Sequence, residues 1–180
     1  MTGSELFADL GIPSDYGRSP ERPRFREAVD LTDVEPNIVG VMQTLAPETA
    51  VAWRQMKQTA ALGGVQLLLV SGFRSIRHQA DLIRRKLAAG QSIDAILTVN
   101  AAPGFSEHHT GRAIDIATPG TRPLTAEFES SAAFVWLEAN AATFGFRMPY
   151  VRNNSFGFEY EPWHWSQLDG HERRRKSVRA

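Results

Sequence analysis

The chain has 180 residues, a length for one domain rather than two, and its 42% hydrophobic and 22% charged residues exclude wholesale disorder. Its 20 Lys and Arg balance 20 Asp and Glu, which leaves no global field to draw in a nucleic acid or an anionic membrane. Without cysteine, disulfides, thiolate nucleophiles and iron–sulfur clusters are excluded, so any metal site must be built from His, Asp or Glu.

The opening stretch, MTGSELFADLGIPSDYGR, brings acidic residues at once and has no cationic segment followed by an apolar run. It does not read as a secretory leader, and no later run is long and apolar enough for a transmembrane segment. The sequence as it stands therefore predicts a cytoplasmic protein, or a periplasmic or cell-wall-associated one if an export segment has been removed. Residues 1–36, with Pro13, Pro20, Pro23 and Pro36, predict an extended arm wrapped over a domain, with a helix at most near its start. A core domain is expected over residues 37–170.

Within that core, residues 47–62 have good helix formers, a proline in the first turn and Gly63-Gly64 at the end, which predicts a helix. VQLLLV (65–70) is a short continuous apolar run, expected as a buried strand. A second helix is predicted over 75–90, where Ile76, Ala80, Ile83 and Leu87 share a face, and a third over 92–100 with Ser92 as its cap. RAIDIA (112–117) alternates as a strand does, and 131–145 predicts a further helix with Phe134, Trp136, Leu137 and Phe144 as core residues. FRMPY and FGFEYEPWHW supply short strands. Helices lead and strands dominate the second half, so the expected class is α+β in a single domain. Residues 171–180 hold five basic residues against one acid and read as a solvated tail. The sharper alternative is a salt-sensitive tether to a polyanion.

Two stretches carry chemistry. In PGFSEHHTGRAIDI, His108 precedes Asp115 by seven residues, a spacing that on one regular strand would point the two side chains to opposite faces. A turn through Thr110 and Gly111 brings both into one cleft, and small Ala113 leaves room there. In FEYEPWHWSQ, Glu161 and His164 are three apart, a spacing that would diverge on a regular strand. A twist at Pro162 in an extended stretch brings both toward one cleft, with Trp163 and Trp165 available to wall it against water. Read singly, each stretch also fits a plain alternative: a loop histidine and strand aspartate with ordinary partners, or an aromatic core strand with a hydrogen-bonded histidine. Together they supply two histidines, one aspartate and one further carboxylate. Zinc with three protein ligands keeps an open position for water, and a carboxylate outside that shell is what a hydrolase needs as base. His78, His109 and His171 read as bystanders.

SEHHTGRAID at 106–115 matches S-x-H-x-x-G-x-A-x-D, EPWH at 161–164 matches the second block, and SGFRSIRHQ at 71–79 a third. With these blocks in order, the chain resembles the D-alanyl-D-alanine carboxypeptidases of the VanY type, zinc metallopeptidases of the lysostaphin-like, D-Ala-D-Ala and hedgehog-like group. The resemblance brackets about residues 40–168. It implies a small antiparallel sheet as the floor of a zinc cleft, with helices packed against it. It further implies one Zn2+ per chain held by His108, Asp115 and His164, with Glu161 as catalytic base and Arg74 stabilising the developing oxyanion. Ser106 falls at the place of a serine lining the substrate cleft, and Gln79 at that of a supporting glutamine. The implied partner is a peptidoglycan stem peptide or its precursor, cut to release a terminal D-alanine, with no nucleic-acid partner. Two alternatives stand beside this: a peptidoglycan endopeptidase, and a non-catalytic zinc-bearing binding module such as the hedgehog-like branch contains.

Overall fold

The computed structural model describes residues 3–18 and 22–167, and the basic tail at 171–180 lies outside the described residues. A four-stranded antiparallel sheet forms the centre, with strands in the order β3 (Leu68–Ser71), β4 (Ala113–Ala117), β6 (His164–Gln167) and β5 (Phe146–Arg147). A separate hairpin of β1 (Thr32–Pro36) and β2 (Met42–Leu45) is tied to β3 through Ile38 N–H, which donates to the Leu69 carbonyl at 3.2 Å.

Parity along the strands divides the sheet into a core face and a site face. Ile114 and Ile116 of β4 and Trp165 of β6 are buried in one cluster with Trp53 and Met56 of helix α2 (Pro47–Leu62) and Phe134 and Leu137 of helix α5 (Ala132–Asn140). Asp115 and His164, the alternate residues, form a directly opposed pair on the other face, because β4 and β6 are in register at Asp115–His164 and Ile114–Trp165. A slip of one residue in this pairing would send both polar groups into the apolar cluster, so the core fixes the site.

A second cluster joins helix α3 (Ile76–Ala88), helix α4 (Ile93–Val99) and the start of the chain: Ala80, Ile83 and Ile96 pack with Phe7 of helix α1 (Gly3–Asp9), Leu10, Ile12, Tyr16 and Phe105. Ser75 and Ser92 cap α3 and α4 by accepting from His78 N–H and Ala95 N–H. Among the described residues no helix is long and apolar enough to cross a membrane.

The departures from sequence expectation have local causes. The strand expected over 65–70 begins only at Leu68, after the glycine turn at 63–64. The helix expected over 131–145 stops at Asn140, whose side chain donates to the Trp136 carbonyl at 2.8 Å, and a 3-10 turn (Ala141–Phe144) completes the segment. FRMPY pairs only at Phe146–Arg147, since Pro149 has no N–H for a ladder, and in FGFEYEPWHW pairing waits until His164. The hairpin at 32–45 has no clean alternation of apolar and polar residues, and the sequence reading missed it.

Gly111 closes the turn that returns the chain into β4. Its φ is +66°, and a Cβ there would lie 2.8 Å from the Ala46 backbone nitrogen. Gly111→Ala is therefore expected to destabilise the fold by at least about 1–2 kcal/mol, the usual cost of a left-handed residue with a Cβ. A urea midpoint equal to that of the parent would contradict this assignment.

Candidate metal centre

His108 reaches the sheet from a short 3-10 helix (Glu107–Thr110) packed over β4. Its Nδ1–H donates to the Gly72 carbonyl at 2.7 Å, which leaves the Nε2 lone pair facing Asp115 Oδ2 at 3.3 Å. Burial lowers the His108 pKa and keeps the ring neutral. Two acceptor atoms thus face one another with no hydrogen between them, an arrangement that a cation satisfies. On the other side, His164 Nδ1 lies 3.0 Å from Asp115 Oδ1. Ligand atoms of His108, Asp115 and His164 all fall within 4.8 Å of one another, and all three residues are buried. Ligands on a tetrahedral zinc lie roughly 3.3 Å apart, so the donor set would close around such an ion by drawing its wider separations inward.

His164 is held from behind by a residue that the sequence reading passed over. Its Nε2–H donates to Glu107 Oε2 at 3.0 Å, while Glu107 Oε1 accepts from Arg147 at 2.9 Å. Burial alone would lower the His164 pKa, but hydrogen bonds to Asp115 and Glu107 outweigh it and raise the value to about 10. In the metal-free protein His164 is therefore protonated and donates to both carboxylates; a dication at Nδ1 would displace the proton there. Asp115 feels the opposite balance: burial would raise its pKa, yet the two histidines hold the carboxyl far below its ordinary range. Tyr150 stacks on the His164 ring at 4.7 Å and fixes its plane. A charged residue between Ser106 and two histidines in an otherwise small and apolar loop was the available signal for Glu107; nothing in FRMPY marked Tyr150.

Glu161 comes to the site by a turn rather than by a twisted strand. His164 N–H donates to the Glu161 carbonyl at 3.1 Å, closing residues 161–164, and Glu161 N–H is held by the Tyr150 carbonyl at 3.0 Å. Burial pushes its carboxyl pKa up to about 7. Arg74 lies across the site, with Nη2 3.8 Å from Asp115 Oδ2 and 3.0 Å from Ser71 Oγ. Its Nη1 donates to Gln79 Oε1 at 3.0 Å, and Gln79 Nε2 donates in turn to the Ala101 carbonyl at 2.7 Å. All seven residues singled out in the sequence line one open cleft of about 520 Å3: Arg74, Gln79, Ser106, His108, Asp115, Glu161 and His164.

Trp163 also lines that cleft, but Trp165 does not; strand parity turns it into the core against Phe134. His109 and His78 stand apart from the donor set, and His171 lies outside the described residues. His109 is nonetheless buried, bridging the Arg74 carbonyl and the Gly104 N–H through its two nitrogens.

Residues 42–169 match the family described as VanY: D-alanyl-D-alanine carboxypeptidase, and the chain belongs to that family. Among curated proteins it is similar to the YodJ protein of Bacillus subtilis (strain 168), with 36% identity over 120 residues, 65% of this chain and 44% of the relative. It spans between about two-fifths and two-thirds of the length of the curated relatives it matches. Among solved structures it is similar to the LdcB LD-carboxypeptidase, described with the basis of its peptidoglycan recognition (TM-score 0.72, 31% identity, 87% of this chain and 76% of that one). A vancomycin-resistance D,D-pentapeptidase VanY, a point mutant in complex with Zn(II), superposes with a TM-score of 0.63 at 25% identity over 85% of each chain.

The hold of Glu107 on His164 has a direct consequence. Partners that orient a metal-ligating histidine typically contribute 10- to 100-fold to affinity, so Glu107→Ala is expected to weaken divalent-metal binding by about that factor. Chelator competition measures it; unchanged affinity would show that Glu107 does not hold His164 for coordination.

Proposed function

We propose that this chain is a zinc-dependent carboxypeptidase that removes the terminal D-alanine of peptidoglycan-type peptides, with His108, Asp115 and His164 holding one zinc ion. The observation that carries the reading is the buried meeting of potential ligand atoms from these three residues, open on one side to a cleft that Glu161 and Arg74 also line. The Zn(II) complex of the related D,D-pentapeptidase supports the choice of metal. Bound there, zinc supplies Lewis-acid polarisation of a carbonyl and acidification of water.

The chain's own residues account for the proton and charge movements. Glu161, its carboxyl raised toward neutrality by burial, accepts a proton from the attacking water as the water oxygen bonds to the scissile carbonyl carbon. The same carboxyl then delivers that proton to the nitrogen of the leaving amine as the carbon–nitrogen bond breaks. The Arg74 guanidinium, pinned by Ser71 and Gln79, offers fixed donors to the negative charge that develops on the carbonyl oxygen. Both ends of the Gln79 amide are engaged on the scaffold, so its part is to position Arg74. Ser106 lines the cleft beside the metal ligands and is available to a peptide group of the substrate.

A second reading concerns stereochemistry. The likeness to an LD-carboxypeptidase at 31% identity favours a cut after an L residue as strongly as the family description favours a cut after a D residue. Mass spectrometry on zinc-loaded protein with peptides ending in L-X-D-Ala or D-Ala-D-Ala separates the two. Internal cleavage of peptides whose terminal carboxylate is blocked would replace both with an endopeptidase.

Glu161→Gln is expected to retain metal and lose roughly 100- to 10,000-fold in kcat, the usual contribution of general acid–base catalysis. His164→Ala is expected to lose metal and activity together. A Glu161→Gln enzyme with near-parental turnover would remove Glu161 from the base's role.

The base must be ionised to act, so kcat/KM is expected to fall as pH drops through the Glu161 pKa. The metal-free value is about 7, and a nearby dication favours the carboxylate, which places the midpoint at or below that pH. A pH–rate profile with no acid limb in this region would contradict the assignment.

A further inference from the structure

One wall of the cleft carries a cation for which the catalytic scheme has no use. Helix α3 turns Gln79, Leu82 and Lys86 into the cleft, at positions i, i+3 and i+7 of a single stripe. Ala80, Ile83 and Leu87, each one residue further on, occupy the adjoining face of the helix and pack in the second core cluster. Lys86 is half-buried, and its Nζ donates to Oδ1 of Asn100, a neutral side chain at the end of α4 that lines the same wall.

The other lysine among the described residues, Lys57, has a carboxylate, Glu35, at 2.6 Å. Arg84, Arg112, Arg147 and Arg152 likewise each pair with one. Lys86 sits against an amide instead, close enough to Arg74 for the two charges to repel and attracted by Glu161. A partly desolvated ammonium has three donors, and Asn100 takes one. Among the described residues nothing takes the other two, which can receive an anion from the cleft. Arg74 is different, since Gln79 and Ser71 hold two of its five donors and aim the guanidinium at the reacting carbonyl.

We infer that Lys86, oriented by Asn100, is a carboxylate-binding residue of the cleft that selects substrates by a negative charge near the scissile bond. The inference rests on the peptidase reading. Seven residues along α3 separate Gln79 from Lys86, about 10 Å at the helical rise, and helical side chains lean back toward the N-terminus, here toward Arg74. The ammonium thus reaches a carboxylate lying about one to three extended residues from the reacting carbonyl. That carboxylate is either the substrate's C-terminus or an acidic side chain of the peptide.

The test uses four peptides ending in D-alanine: free acid or carboxamide at the C-terminus, each with an acidic or a neutral residue upstream. Dissociation constants are measured by calorimetry on zinc-loaded Glu161→Gln protein with Lys86, Lys86→Met or Lys86→Arg, and KM and kcat on the same series with Glu161 intact. Lys86→Met keeps the aliphatic stem and is expected to weaken binding of the carboxylate-bearing peptides about 10- to 100-fold, a charge-assisted hydrogen bond's worth. The loss should fall on KM rather than kcat, spare peptides lacking that carboxylate and be largely restored in Lys86→Arg. Tracking with the terminal acid identifies the C-terminus as the ligand; tracking with the upstream acid identifies the side chain. Equal loss for all four peptides, no loss for any, or no carboxylate-dependent binding in the parent overturns the inference. If the enzyme cleaves the peptides while Lys86→Met leaves the preference intact, the peptidase reading survives without it. If nothing is cleaved while carboxylates bind through Lys86, the subsite survives and the peptidase reading falls.

Discussion

The antiparallel pairing of β4 with β6 is the constraint on which the site depends. It sets Asp115 directly across from His164 and, one residue along, Ile114 across from Trp165. The same ladder thereby serves two faces with opposite energetics. On the site face, a buried carboxylate, two buried imidazoles and a guanidinium must satisfy one another, and removing one partner from such a group typically costs about 3–5 kcal/mol. On the core face, fully burying each large apolar side chain contributes roughly 1.5–3 kcal/mol. Ile114, Ile116 and Trp165, packed against α2 and α5, hold the register of the polar side.

The rest of the site hangs on that ladder through backbone hydrogen bonds between two loops. Gly72 and Arg74 follow β3; His108 and His109 precede β4. His108 Nδ1–H donates to the Gly72 carbonyl, Arg74 N–H donates to the His108 carbonyl at 3.1 Å, and the His109 ring reaches the Arg74 carbonyl. The close approach requires a glycine: a Cβ at Gly72 would lie 2.7 Å from the Thr44 carbonyl oxygen. His108 and Arg74 are thus positioned by the same knot. His109, which looked like a bystander, is one of its threads.

What was legible in the sequence, and what was not, follows the range of the forces involved. Helices α2, α3 and α4 are announced by local chemistry, in Pro47, Ser75 and Ser92, and they start where these residues stand. The His108–Gly111–Asp115 turn was legible because only a left-handed residue could reverse the chain there. Long-range partners were not. Nothing near Glu107 in the chain points to His164, 57 residues away, or to Arg147. Glu161 and His164 were rightly grouped but for the wrong geometry, because Pro162 starts a turn instead of bending a strand. The hairpin of β1 and β2 escaped because a half-exposed edge carries no strong alternation to read.

The start of the chain shows how far the support of the cleft extends. The family match begins at residue 42, yet the wall carrying Asn100 and Ser106 is braced from behind by residues before it. Phe7, Tyr16 and Phe105 form a cluster of mutually tilted rings, and the Tyr16 hydroxyl accepts from Ala102 N–H at 3.3 Å. Arg22 lies over the Tyr16 ring and donates to the Phe156 carbonyl at 3.3 Å, which ties the same brace to the segment leading to Glu161. Buried aromatic pairs add about 0.5–1.5 kcal/mol each beyond area burial, enough together to hold a loop that would otherwise be free to move. The two walls of the cleft therefore share one support, with the cationic side on α3 and the loop from α4 and Glu161 on the turn at 161–164. Phe7, Tyr16 and Arg22 thus brace both walls from outside the His108, Asp115 and His164 group.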